Sequence, residues 1–596
     1  MNTIDGSFRE NARKFPERTA LRYYQDETWV QITYAELLKA VMTTAHGLAD
    51  MGIGRDSKVA IMSENRPEWF VCYLATVTIG AVPIPIDATL GETETMHILR
   101  HSDAETILCS LPCYEVISRI LSEVNALHNI ILFDRNITIR HEHKGEGKGK
   151  DVADKSRKKN GYKNFFSYDE LRDRGTDFIV RGGMTFPENK ITDLASIIYT
   201  SGTTGAAKGV MLTHKNIISN VQSVRQIINF DEEDNLLLLL PLHHSLPFTV
   251  CMVLPLSVGG SSSFVDILSR ERARLIEECK PTIVVGVPLL YSKMYRGIIR
   301  QVQISKLKNF IFTHGGKKII GKALKKKLGG KVRIMVSGAA PMDPEVIEGF
   351  VSLGIEFLEG YGLTETSPVA SVNPPGAIKI GSIGPALPGV EVKIVNPDRD
   401  GIGEIAIRGD NVMLGYYNNR EQTDLVLKDG WFYSGDLGTI DDDGYVFITG
   451  RAKDVIVTRG GKNVYPEVVE NEINKSTYIA ESVVMGYRTK GYVGEDVGVV
   501  IVPDYETLSE YAKKEEITFT NEINLEALTE DAKEEIVEKF RPLLESEVRK
   551  SMVKLASYQR VTRIGIERDE FVKTSTRKIK RFLYNGRLDI VDIDKE

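Results

Sequence analysis

The stretch Ile198–Gly209 packs three glycines, four aliphatic hydroxyls and one lysine into twelve residues. Glycine lets a backbone take φ > 0 and approach a ligand closely. Successive N–H groups in a turn form an anion-binding concavity, to which hydroxyls add donors and a lysine adds charge. Thr200, Ser201, Gly202, Thr203, Thr204, Gly205 and Lys208 are therefore candidate phosphate ligands. A Walker loop needs Gly, four residues, then Gly-Lys-Ser/Thr opening a helix. Counting from Gly202, Ala207 stands in place of the second glycine and Gly209 in place of the Ser/Thr, so that reading fails. Val210-Met211-Leu212 continues as a strand, with a helix starting only near Thr213, and the setting is strand–loop–strand.

Further stretches carry chemistry of their own. Ser337-Gly338-Ala339-Ala340-Pro341 follows a predicted strand, where the carboxyl end of a sheet commonly meets a ligand. Glu359-Gly360-Tyr361-Gly362-Leu363-Thr364-Glu365 brings an aromatic face, a hydroxyl and carboxylates together between glycines. Such a set can stack a base and hold Mg²⁺, which prefers oxygen ligands. Gly435-Asp436-Leu437-Gly438 and Gly450-Arg451-Ala452-Lys453-Asp454 place charges beside glycine turns, and Lys573–Lys580 is a basic, hydroxyl-rich loop. Taken singly, each has a plain structural reading: Tyr361 as core, Asp436 as a turn residue, Lys578 as one solvated lysine among many.

The elements that must position these residues alternate. Thr33-Tyr34-Ala35-Glu36 is a capping box, and Leu37, Leu38, Val41, Leu48 and Ala49 follow at helical spacing up to Gly52. Strands are predicted at Val59–Met62, Ala81–Ile86, Thr106–Cys109 and Asn129–Phe133, with helices at Glu68–Ile79 and Glu92–His101. After the glycine-rich loop come strands at Leu236–Leu240, Thr282–Val287 and Arg333–Val336, and a helix at Ser269–Cys279. This alternation predicts α/β architecture, a parallel sheet covered by helices on both faces. From about 376 to 450 short β segments with glycine turns predict a small barrel or sandwich. From Arg451 onward a smaller α+β unit follows, with an acidic helix within Asn524–Lys550. The predicted division is 1–450 and 451–596. A flexible surface insertion is placed at 134–165, because Arg135–Lys163 has ten Lys/Arg against four Asp/Glu and few apolar residues.

At 596 residues, 42% hydrophobic and 27% charged, the chain has the composition of a soluble globular protein of several folding units. A net charge of −6 gives no case for bulk nucleic-acid binding. The five cysteines (Cys72, Cys109, Cys113, Cys251, Cys279) lack Cys-x-x-Cys spacing, which points to a reducing compartment with no disulfide framework and no zinc site. Met1–Arg9 is polar, with no signal peptide visible. The uncharged run Trp69–Ile86 is 18 residues and is broken by Pro83 and Pro85, and the apolar Leu236–Gly260 holds two histidines and three prolines, so no spanning segment is expected. Cys279–Met342 holds 14 Lys/Arg and no Asp/Glu. Two readings of it stay open: a solvated helix face, or a basic patch facing cofactor phosphates or an anionic membrane surface.

Found together and in this order, the motifs resemble those of the adenylate-forming superfamily of acyl-CoA synthetases, firefly luciferase and peptide-synthetase adenylation domains. The resemblance runs from Glu17–Leu48 to Lys578. It looks most like the long-chain fatty acyl-CoA synthetases, given Phe166-Ser167-Tyr168-Asp169-Glu170-Leu171 and the long stretch before Ser337. It implies a large N-terminal domain of doubly wound α/β subdomains plus a small β-barrel, and a small mobile α+β C-terminal domain. It implies ATP, Mg²⁺ and coenzyme A, with a fatty acid activated as an acyl-adenylate and passed to the coenzyme A thiol. In such enzymes the Thr200–Lys208 loop wraps the ATP phosphates, with Thr200 and Glu365 near magnesium. Gly338–Pro341, Glu359, Gly360, Tyr361 and Gly362 line the adenine side, and Thr364 contacts the α-phosphate. Asp436 takes the ribose hydroxyls, with Arg451 beside it. Lys453 is the hinge residue, and Lys578 is the mobile lysine that bridges carboxylate and α-phosphate. His244, in Pro-Leu-His-His-Ser, is similar to the aromatic gate of the acyl site, and the acyl tunnel passes Val285, Gly286 and Gly338.

Two positions depart from the family pattern: Ala207 where proline is usual, and Arg577 where glycine is usual before the catalytic lysine. Lys580 is the rival for the latter role; the Thr574-x-Thr576-x-Lys578 spacing favours Lys578. The alternatives are a fatty acid–acyl-carrier-protein ligase, an oxidative ligase of the luciferase type, and a non-catalytic nucleotide- or lipid-binding homologue. The expected location is cytoplasmic, with peripheral membrane contact as an option, and a homodimer is one reading of the open oligomeric state.

Overall fold

The computed structural model describes residues 2–134, 163–200, 207–265, 271–488, 494–520, 528–573 and 579–584. The 201–206 part of the phosphate loop, nearly all of the 134–165 insertion, and Lys578 with its loop lie outside the described residues.

Two compact units divide the chain. The first comprises Met1–Val392, Ile407–Tyr433 and Asp441–Val446; the second comprises Lys393–Ala406, Ser434–Ile440 and Phe447–Glu596. The first holds an eight-stranded sheet in the order Val369–Val372, Glu356–Gly362, Ile334–Ser337, Ile283–Gly286, Asn235–Leu238, Ser261–Phe264, Thr19–Gln25, Thr28–Thr33. Its pairings are parallel except the outermost at each edge, which are antiparallel. A second sheet, entirely parallel, runs Val82–Ile86, Lys58–Met62, Thr106–Cys109, Asn129–Leu132, Asn164–Ser167. Asn164 and Phe165, the last two residues of the 134–165 insertion, thus belong to an edge strand. Just before them Lys163 is buried, its Nζ donating to Val124 O and Leu127 O at 2.5 Å each.

Local chemistry explains the elements. Thr33 and Glu36 form the expected capping box at the head of Tyr34–Asp50, and Ser167 and Glu170 form another at Tyr168–Val180. Each such cap is worth about 1 kcal/mol. Pro67 starts the helix Pro67–Thr78, which is buried on nearly every side, and the strand Val82–Ile86 follows it, fully buried. The uncharged run Trp69–Ile86 is therefore one helix and one strand. Central parallel strands such as Asn235–Leu238 and Ile283–Gly286 are buried at all four positions, as strands covered on both faces must be. Among the described residues no helix is long and apolar enough to cross a membrane, and all five cysteines are buried free thiols.

In the 376–450 region a five-stranded sheet has the order Val390–Val395, Gly403–Gly409, Trp431–Ile440, Leu427–Lys428, with Val446–Arg451 also pairing Trp431–Ile440. The second unit contains a sheet of Ile479–Tyr487, Asp496–Pro503 and Arg563–Ile566. The helices Pro466–Ile473, Tyr505–Lys514 and Glu530–Ser551 accompany it, with Ile536, Phe540, Leu544 and Val548 in their common core. Sheet and helices together make an α+β arrangement.

Candidate functional site

The phosphate-loop stretch is a hairpin. Leu194–Thr200 pairs antiparallel with Lys208–Thr213, and Thr200 lies opposite Lys208. The helix His214–Ile227 begins after Thr213, its N-cap, which accepts from Asn216 N. The strand–loop–strand reading holds, and Thr200 and Lys208 pin the two ends of the loop together. Gly209 is needed here: a Cβ would come 2.8 Å from Ile197 Cγ2 and 3.1 Å from the Tyr199 ring.

A third strand, Gly415–Tyr416, pairs with Lys208–Thr213 and sets Tyr416 opposite Val210. Tyr416 then links the two key charges of the region. Lys208 Nζ stands 4.9 Å above its ring, and its hydroxyl donates to Glu365 Oε1 at 2.8 Å. Burial, and then the Glu365 charge, push the Tyr416 hydroxyl well above its ordinary pKa, so it remains a donor. Lys208 Nζ also donates to Gln422 Oε1 at 2.7 Å. Tyr416 and Gln422 carry no sequence signal; only the strand pairing reveals them. A carboxylate has about four acceptor sites, so the single bond from Tyr416 leaves Glu365 capacity for a hard cation. This oxygen donor set fits Mg²⁺.

The carboxyl edge of the eight-stranded sheet gathers the other motifs. Gly286, Ser337 and Glu359 lie in register on neighbouring strands. Gly338 N donates to Gly286 O at 3.3 Å, Ala339 takes a left-handed φ of 73°, and Ala340 and Pro341 are exposed. Val285 is wholly buried. Tyr361 and Gly362 sit where the strand turns antiparallel to Val369–Val372. Gly362 is obligatory, since a Cβ would fall 1.7 Å from Pro368 O. Thr364 Oγ1 lies 3.3 Å from Ser245 Oγ, which brings the Thr364–Thr366 turn to the Pro241–Ser245 turn. In that turn His243 Nε2 is 3.0 Å from His244 Nε2 and 3.4 Å from Asp87 Oδ2, a carboxylate that sequence reasoning missed. A surface cavity of about 380 Å³, lined by Ser7, Glu10, Lys14, Arg225, Asp231 and Glu232 among others, contains none of the motif residues.

Glu359 is 6% exposed, and its Oε1 accepts from Met342 N at 3.0 Å, tying down the Gly338–Pro341 turn. Burial pushes its carboxyl from 4.5 up to about 7 against the opposing effect of that bond. The folded-state value lies above the unfolded one, so the contribution to stability is full below pH 4.5 and is lost as pH rises through about 7. A shift of this size corresponds to roughly 3 kcal/mol. Glu359→Gln keeps an acceptor and removes the titration. Its urea midpoint should therefore fall less than the wild type's between about pH 5 and pH 7.5. Parallel curves for the two proteins would show that Glu359 ionises as it does unfolded.

In the second unit Asp436 is 5% exposed, and Arg451 Nε donates to its Oδ1 at 2.9 Å. The two lie on the paired strands Trp431–Ile440 and Val446–Arg451. Lys453 follows in the short turn Ala452–Asp454, with burial as the main cause lowering its pKa. The ends of the Lys578 loop are joined by a bridge between Lys573 and Ile579, and Lys580 N donates to Val572 O at 2.9 Å.

Comparison with known proteins bears on this geometry. Residues 8–417 match the AMP-binding enzyme family. Long-chain-fatty-acid–CoA ligase FadD15 of Mycobacterium bovis is 28% identical over 522 residues, covering 81% of this chain and 80% of that protein. Long chain acyl-CoA synthetase 6, peroxisomal, of Arabidopsis thaliana is 31% identical over 490 residues, covering 77% and 67%. The crystal structure of ATP-bound MatB from Rhodopseudomonas palustris superposes with a TM-score of 0.72 at 25% identity, covering 98% of this chain and 99% of that one.

Proposed function

Because the chain belongs to the AMP-binding enzyme family and is an AMP-forming acid–thiol ligase, we propose that it joins a long-chain fatty acid to coenzyme A. The fatty carboxylate attacks the α-phosphorus of ATP and pyrophosphate leaves. The coenzyme A thiol then attacks the acyl carbon and AMP leaves. Adenylation is needed because a carboxylate in water has no good leaving group.

The observation that carries this reading is the Lys208–Tyr416–Glu365 arrangement at the neck of the glycine-rich hairpin. It offers a cation to polyphosphate and a carboxylate to a hard metal ion, held apart by one tyrosine. Lys208 and the Thr200–Gly205 hydroxyls and amides bind the phosphates. Glu365 and Thr200 hold magnesium, which when bound neutralises phosphate charge. Thr364, oriented beside Ser245, donates to the α-phosphate. Ala340 and Pro341, exposed beyond the sheet edge, and the half-buried Tyr361 offer a face for adenine. The Arg451 guanidinium orients Asp436 for the ribose hydroxyls. His244 is the gate of the acyl entrance, and the acyl path passes Gly286 and Gly338, where a Cβ would press on Leu290 and Leu246 respectively. The long-chain fatty acid in the name of FadD15 and the long chain acyl group in that of the Arabidopsis synthetase support the choice of acid.

The test is AMP and pyrophosphate release with Mg-ATP and acids from two to twenty carbons, with and without coenzyme A. Coenzyme A-dependent AMP release peaking at long chains is expected. Pyrophosphate exchange without turnover on coenzyme A would move the reading to a carrier-protein ligase. No nucleotide chemistry with any acid would leave a non-catalytic binder.

The acid-free basic stretch adds a partner to this reading. Its helix Lys306–Thr313 has no buried residue, and Leu307 and Phe310, one helical turn apart, are 69% and 60% exposed. Ile304 and Ile319 are exposed nearby at 77% and 61%. Apolar side chains set among lysines favour an anionic membrane surface over a purely solvated face. Phe310→Ser should reduce sedimentation with phosphatidylglycerol vesicles several-fold without altering turnover on a short, soluble acid. Equal sedimentation of variant and wild type would return the stretch to a solvated face.

A further inference from the structure

We propose that Asp87, His243 and His244 form a binding site for a divalent transition cation of the zinc type. Asp87 directly follows the strand Val82–Ile86 of the all-parallel sheet, and the two histidines follow Asn235–Leu238 of the eight-stranded sheet. Both turns leave the carboxyl ends of parallel strands, and they meet where the three side chains converge.

The convergence is what a relay lacks. In a carboxylate–histidine relay the imidazole uses its two nitrogens for two different partners. Here the single atom His243 Nε2 faces both His244 Nε2, at 3.0 Å, and Asp87 Oδ2, at 3.4 Å. All three donor atoms lie within 4.8 Å of one another. One proton on that nitrogen cannot be well aligned to both neighbours at once. A cation can take a lone pair from all three. Metal–ligand bonds of about 2.0–2.2 Å place tetrahedral neighbours about 3.3–3.6 Å apart, close to the 3.0 and 3.4 Å separations of His243 Nε2 from the other two donors.

The surroundings support coordination. Asp87 Oδ1 accepts from Thr89 N at 2.8 Å and from Thr89 Oγ1 at 2.7 Å, so the carboxylate is oriented with Oδ2 toward the histidines. Such outer bonds aim ligands at a metal. Asp87 and His243 are 8% and 7% exposed, whereas His244 is half-buried, leaving one side for an ion to enter. Two imidazoles and one carboxylate suit Zn²⁺, Co²⁺ or Fe²⁺ rather than Mg²⁺, which takes oxygen ligands. The absence of a zinc site expected from sequence rested on the cysteines, which take no part here.

The inhibitory consequence rests on the reading of His244 as the acyl gate: an ion bound here pins its ring and slows acid entry. The test uses the full chain without nucleotide or acid. Titration with Co²⁺ should develop visible d–d absorption saturating at one ion per chain. Asp87→Asn and His243→Gln should each weaken that binding about tenfold or more, while His314→Gln, an exposed histidine elsewhere, should leave it intact. Wild-type protein that binds no Co²⁺, or a band that survives both substitutions, would overturn the site. In the same preparations Zn²⁺ at fixed Mg-ATP should inhibit AMP release in wild type and far less in His243→Gln. A protein that binds Co²⁺ but activates no acid would sink the ligase reading and leave the metal site standing. An active enzyme without the band would sink the site alone.

Discussion

The Lys578→Ala variant is expected to lose adenylate formation by about a hundredfold or more, yet to retain most of its rate of thioester formation from supplied acyl-adenylate. The two half-reactions need different charge stabilisation. In the first, negative charge from the incoming carboxylate accumulates beside the α-phosphate, and one ammonium bridging the two lowers that barrier. In the second, the acyl carbon already carries its leaving group and needs no such bridge. Pyrophosphate exchange reads the first step and coenzyme A-dependent AMP release from acyl-adenylate reads the second. Loss of both would make Lys578 structural. Retention of both would pass the role to Lys580, whose backbone N–H is bonded to Val572 O on the opposite leg of the same hairpin.

Glu365→Gln is expected to reduce turnover by about 10²–10³-fold and to raise the magnesium concentration needed for half-maximal rate. The amide oxygen still accepts from the Tyr416 hydroxyl, so the local fold is kept while the charge offered to the metal is removed. Tyr416→Phe makes the complementary cut. It keeps the ring under Lys208 and the charge on Glu365 but leaves that carboxylate without its 2.8 Å bond. A hydrogen bond to a charged group is worth about 1.5–3 kcal/mol, so a loss nearer tenfold is expected, with the magnesium requirement shifted less. If the two variants showed the same rate and the same magnesium dependence, Glu365 would be acting only as a partner of Tyr416.

The site was legible in the sequence to different depths. The hairpin around Lys208 and the helix after Thr213 could be read directly, because glycine density, hydroxyls and capping residues act over a few positions. Val285, expected along an acyl path, is wholly buried, and an apolar run in a parallel strand does not by itself say which face, if either, meets a ligand. Glu359, expected among the cofactor ligands, accepts from the backbone of Met342 through its carboxylate.

Sequence alone determined what depends on neighbours along the chain. This includes the α/β alternation, the capping boxes at Thr33 and Ser167, the helix-plus-strand reading of Trp69–Ile86, and the strand–loop–strand around the glycines. These follow from hydrogen bonds and periodicities closed within a turn or two. Only the tertiary structure brought Asp87 to His243, Tyr416 between Lys208 and Glu365, and Gln422 to Lys208 across 214 positions. Those meetings are set by which strands pair and in what register. Pairing is driven by burial of whole faces, and a lone Asp, Tyr or Gln in the sequence carries no mark of the strand it will stand beside.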